Sequence, residues 1–83
     1  MLNKYKNQNH YESTSLSLAA TLICLGIPLD SVMKTTHGKS TFAFIRTDNF
    51  DELLEAFWKR SLQVEPNAFY EAQRFIKSRL YEN

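Results

Sequence analysis

One cysteine, two histidines, two glycines and two prolines in 83 residues leave little material for several common kinds of site. A single thiol cannot close an intrachain disulfide or build a Cys-based zinc cluster. Cys24 lies late in an apolar segment, the setting of a packed thiol in a reducing compartment; a thiolate nucleophile needs exposure and a helix N-terminus. His10 and His37 stand in no i, i+3 or i+4 relation to another ligand type on a predicted helix, so the sequence implies no metal and no cofactor. No apolar run approaches the roughly 20 residues that cross a bilayer, and the N-terminal M-L-N-K-Y-K-N-Q-N-H holds no signal-peptide core. A formal net charge of +1 lacks the surplus of a strongly basic nucleic-acid binder. The expectation is a cytoplasmic chain with no membrane contact.

Against those absences stand 43% hydrophobic and 13% aromatic residues with 23% charged, the balance of a globular domain and not of a disordered tail. A chain of this size buries only about 60–65% of its unfolded surface, so dimerisation is one expected source of extra stability. The segment Ser13 to Gly26, S-T-S-L-S-L-A-A-T-L-I-C-L-G, is apolar enough to sit at the centre of a core. Ser13, Thr14 and Ser15 can cap its start, and Gly26 can end it in a left-handed turn. Only Ser17 and Thr21 give this predicted helix a polar stripe. Residues 1–10 read as a flexible leader, with Tyr5 and Tyr11 available to tether a short edge strand; residues 11–83 form the single domain.

Beyond Pro28, Leu29 to Thr35 and Ser40 to Thr47 read as two strands around a His37-Gly38 turn, the second placing Phe42 and Phe44 on one face and Thr41, Ala43 and Ile45 on the other. A lone hairpin is marginal in water, which calls for helices over the Phe42/Phe44 face and leaves room for a third strand from the leader or a partner chain. Asn49 to Ser61 carries Phe50, Leu53, Leu54, Phe57 and Trp58 at helical spacing, with Asn49 and Glu52 resembling a capping box and Asp48 an alternative cap. Asn67 to Tyr81 carries Phe69, Ala72, Phe75, Ile76 and Leu80 at the same spacing. The fold expected is α+β: helix, β-hairpin, helix, helix (α-β-β-α-α), with a small two- or three-stranded antiparallel sheet covered by helices.

The catalytic motifs fail on spacing or context. H-G-K-S-T ends like a phosphate-binding loop, yet Met33 stands where the consensus needs its first glycine, and a strand follows where a helix should. Asp51, Glu52 and Glu55 match the dipole of a helix start and need no acid–base role. Either Ser17 or Cys24 lining a cavity would reopen a catalytic reading; otherwise the sequence implies no enzyme and no small-molecule substrate. Two kinds of binding surface remain. Lys34, His37, Lys39 and Arg46 make the hairpin basic, suited to phosphate or an acidic partner, or simply to guarding a sheet edge. Arg74 and Lys77, one turn apart on the last helix, are either a solvated face or a second part of such a contact. Trp58, Tyr70 and Tyr81 are more aromatic surface than a small core absorbs and are candidates for a protein interface.

Tyr11-x-Ser13-Thr14, the Leu18-Ala19-Ala20 helix ending at Gly26, Phe42-x-Phe44, and Arg74-x-x-Lys77 in the closing helix occur in an order that resembles a small uncharacterised domain-of-unknown-function family of bacterial and phage genomes. The resemblance covers about residues 11–81 and brings no activity with it. It implies a phage or mobile-element setting, a non-enzymatic accessory role and added interest in Arg74 and Lys77. The functional expectation is therefore a small binding or adaptor protein that works by contact with a protein partner or a second copy of itself. The alternative is a nucleic-acid-binding accessory protein using the basic hairpin and the Arg74/Lys77 face.

Overall fold

Phe42 and Phe44 fix the polarity of the fold, because two phenyl rings on one face of a strand must be covered on that face. The computed structural model describes residues 9–34 and 38–81. In chain order these form β1 (His10–Ser13), α1 (Leu16–Cys24), β2 (Leu29–Lys34), β3 (Ser40–Ile45), α2 (Phe50–Trp58) and α3 (Pro66–Leu80). The protein is thus an α+β domain, with the predicted helix-hairpin-helix-helix order preceded by one strand. The sheet order is β1-β3-β2, all neighbours antiparallel. The third strand comes from the chain's own N-terminal side: β1 begins at His10, at the end of the segment read as leader. Asn9 O accepts from Arg46 N at 2.8 Å, extending that pairing by one step. Residues 1–8, including Tyr5, lie outside the described residues, as do Thr35, the last residue of the expected first strand, Thr36, and His37 of the expected turn; Gly38, the turn's last residue, has φ 85°.

Register places Tyr11 and Leu29 on either side of Phe44, and Ser13 and Val32 on either side of Phe42. That face meets Leu18, Ala19 and Leu22 of α1, Phe50 of α2 and Ile76 of α3, which together with Ile27 make the core. On the other face Ile45 and Met33 stay half exposed. Between Leu29 and Ser31 the register slips, so Asp30 is an extra residue bulged out of the ladder. The bulge lets its carboxylate meet His10 Nε2 at 3.3 Å, tying the two outer strands together across the end of β3.

The helix ends depart from the sequence reading in informative ways. α1 is shorter than the Ser13–Gly26 segment because Ser13 belongs to β1. The Ser13 Oγ accepts from Ser15 N at 3.0 Å, and Ser15 alone is the cap, its Oγ accepting from Leu18 N at 3.1 Å. At α2 the capping box does not form: Asn49 Oδ1 accepts from the Thr47 hydroxyl at 2.8 Å and makes no bond to the helix. At α3 the cap is Glu65, two residues before the expected start, whose carboxylate accepts from Asn67 N at 3.1 Å and Ala68 N at 2.8 Å. Pro66 takes the first helical position, where its missing N–H costs nothing.

Candidate functional site

A helix of 15 residues whose inner side is held by Ala72 and Ile76 must turn the opposite side to water. On that side Tyr70, Arg74, Lys77 and Tyr81 follow one another at steps of four, three and four residues, a nearly straight row about 17 Å long at about 1.5 Å per residue. Two separately reasoned groups of the sequence, the cations and the aromatics, thus share one surface. Tyr70 is 59% exposed and Tyr81 80%. The Arg74 guanidinium lies 5.9 Å from the centre of the Tyr70 ring, within cation–π range, so half of the row is already internally ordered. Phe75, predicted to face the core, instead flanks this row at 45% exposure, with Arg79 6.0 Å from its ring centre. Ile76, adjacent in sequence, takes the buried position, since one turn of helix cannot aim both side chains inward.

The other cations divide between the two ends of the sheet. Lys34 and Lys39 line a shallow groove of about 310 Å³ together with Gly38, Ser40, Leu80 and Tyr81, so they adjoin the C-terminal end of the row. Arg46 is at the far end of β3 and is occupied within the fold: it pairs with Asp51 and lies 5.0 Å from the centre of the Phe50 ring. Phe50 is also in contact with Tyr11, whose ring centre is 5.1 Å away in a tilted arrangement. His37 is outside the described residues.

Trp58 belongs to a different place. It is 61% exposed and lines a cleft of about 540 Å³ with Ser15, Ser17 and Thr21 of the α1 side and Phe57, Arg60, Leu62 and Val64 of the α2 side. The Phe57 and Trp58 rings meet edge to face at 5.0 Å. The polar stripe of α1 is thus the hydroxyl wall of a cleft. Ser17 Oγ is 3.3 Å from Ser15 Oγ, and the Thr21 hydroxyl donates to Ser17 O at 2.8 Å. Ser17 lining a solvent-open cleft reopens the question of catalysis; among the described lining residues the titratable side chain is Arg60. Cys24 is half-buried and is not part of the lining.

Arg60 was not singled out by sequence reasoning. It is the only non-glycine residue with positive φ among the described residues, at 61°. The sequence reading runs this helix to Ser61; it stops at Trp58 instead, and with no glycine just beyond, Arg60 takes the left-handed position that commonly ends a helix. Among the described residues no group of three His, Cys, Asp or Glu side chains could hold a metal ion, and no helix is long and apolar enough to cross a membrane.

A family model described as a domain of unknown function, DUF5659, matches residues 2–82. Among curated proteins and among solved structures, nothing matches the chain.

Proposed function

We propose that this chain, which belongs to the DUF5659 family of domains of unknown function, is a non-enzymatic binding module that acts through protein–protein contact, with the outer side of α3 as its working surface. The observation that carries the reading is the single row Tyr70, Arg74, Lys77, Tyr81: two cations between two exposed aromatic rings, of which the tyrosines and the arginine are residue types enriched where protein surfaces meet. A partner with a carboxylate-rich face fits it. Arg74 and Lys77 would donate to carboxylates while Tyr70 and Tyr81 supply rigid apolar area at either end. Pairing of two copies through this row is disfavoured, because a two-fold axis would set the central cations against their own images. The hydroxyl cleft, with Arg60 as the titratable side chain among its described lining residues, supports the non-enzymatic part of the reading. A cytoplasmic location and a phage or mobile-element setting complete the proposal; they rest on the single half-buried thiol and on the family resemblance.

A second reading has its own observation. Lys34 and Lys39 adjoin Tyr81 and lengthen the cationic row toward the hairpin, and cations alternating with stackable aromatics also suit single-stranded nucleic acid. One titration separates the two. The labelled protein is followed by NMR against a glutamate-rich peptide and against an oligonucleotide of equal charge, at two salt concentrations. The protein reading expects shifts along α3 with the peptide, abolished in Arg74→Glu/Lys77→Glu. The nucleic-acid reading expects the oligonucleotide to win, with affinity falling steeply as salt rises. Failure of both ligands to move α3 resonances would overturn both.

A further inference from the structure

We propose that the cleft between α1 and the end of α2 is a binding site for a small molecule with a flat apolar body and one anionic group, of the aromatic carboxylate class. The site is separate from the row on α3 and does not depend on it. A volume of about 540 Å³ falls in the roughly 300–1,000 Å³ range of small-ligand pockets. Its walls are chemically sorted. Phe57, Trp58, Leu62 and Val64 form the apolar side, Ser15, Ser17 and Thr21 the hydroxyl side, and Arg60 supplies the one charged side chain in the lining. A flat body fits because the Trp58 ring meets Phe57 in a T-shaped contact yet remains 61% exposed, so much of a large aromatic system is open to a ligand. An anion fits because a guanidinium takes a carboxylate in two parallel hydrogen bonds, and among the described residues the lining holds no acidic side chain to compete for it. One anionic group matches one guanidinium.

The backbone at Arg60 adds a second line. The left-handed conformation at Arg60 crowds a residue that carries a Cβ and is one that glycine adopts without strain. The chain keeps an arginine there, at the mouth of the cleft, where glycine would serve the fold better.

Trp58 is the single tryptophan of the chain, so its indole N–H gives one NMR resonance that reports on the cleft. The whole chain, labelled with nitrogen-15, is titrated with benzoate and separately with benzyl alcohol, which has the same ring without the charge. Benzoate is expected to shift the Trp58 indole and the Arg60 amide together and saturably, with benzyl alcohol binding about tenfold or more weakly. In Arg60→Gly, which suits the left-handed backbone and so folds, benzoate is expected to fall to the level of benzyl alcohol. Three results would each overturn the proposal: no saturable Trp58 shift up to ~10 mM benzoate, a concentration well above the ~1 mM dissociation constants small fragments reach; equal binding of the two probes; or a benzoate preference that survives in Arg60→Gly. Shifts confined to α3 count as the first of these, and the reading of the α3 row stands or falls on its own titration.

Discussion

Helices α1 and α2 end in the same backbone hook, yet one end is built into the core and the other opens a cleft. After α1, Gly26 N donates to Ile23 O at 3.0 Å and Ile27 N to Leu22 O at 2.9 Å; after α2, Arg60 N donates to Phe57 O and Ser61 N to Ala56 O, both at 3.0 Å. Each pair is a Schellman motif, with the residue in the left-handed position at φ 90° for Gly26 and 61° for Arg60. The difference is in what the hook delivers. The first swings Ile27 into the core, where it is 5% exposed, and supplies the apolar latch that usually accompanies this motif. The second delivers Ser61, an exposed residue whose hydroxyl adds a bond to Ala56 O at 3.2 Å. One terminus is therefore held by burial and given the residue its backbone prefers. The other has no apolar latch at the corresponding position, Ser61, and is given a residue its backbone resists, beside Trp58. The contrast teaches that the local rule for stopping a helix was relaxed at the place where a side chain had something else to do.

Substitutions at the two hooks should separate these roles, and urea unfolding midpoints read them all. Ile27→Ala carries the largest expected effect, a loss of about 2–4 kcal/mol from the emptied core position; a loss under ~1 kcal/mol would mean the latch is not what secures α1. Next comes Gly26→Ala. Nothing lies within 4 Å of the added Cβ, so the expected cost of about 1–2 kcal/mol is backbone strain alone. Ser15→Ala, which removes the cap of α1, should cost about 1 kcal/mol. The smallest change has the opposite sign: Arg60→Gly should stabilise by about 0.5–1 kcal/mol, the relief of strain being partly offset by the added freedom of glycine in the unfolded chain. An Arg60→Gly variant less stable than the parent would show that the arginine side chain contributes to the fold, and the comparison of the two hooks would fail.

Much of the architecture was legible because periodicity is a local property. Phe42 and Phe44 alternate with Thr41, Ala43 and Ile45, and the strand they form turns its rings inward as that pattern requires. β1 was harder to read. A four-residue strand, His10–Ser13, has too short a pattern to declare itself, and it becomes a strand by pairing with β3. Phe75 and Ile76 competed for the same inward position, and periodicity ranked them equally until packing chose Ile76. The candidate binding residues divide in the same way. Tyr70, Arg74, Lys77 and Tyr81 were each conspicuous in the sequence, and a single helix is enough to align them. The cleft was not legible, since Ser15, Ser17 and Thr21 come from one helix and Trp58, Arg60, Leu62 and Val64 from a segment some forty residues later.

The amino-acid sequence by itself determined the helices, the hairpin, the apolar rod of α1 and the stripe of exposed residues on α3, all of which follow from spacing along a chain of fixed geometry. Only the tertiary structure decided that β1 would close the sheet, that Arg46 would serve Phe50 and Asp51 within the fold, and that two hydroxyl-bearing turns of α1 would face Trp58 and Arg60 across a cleft. Those outcomes depend on which distant residues compete for the same buried space, and that competition is resolved only when the whole core is packed at once.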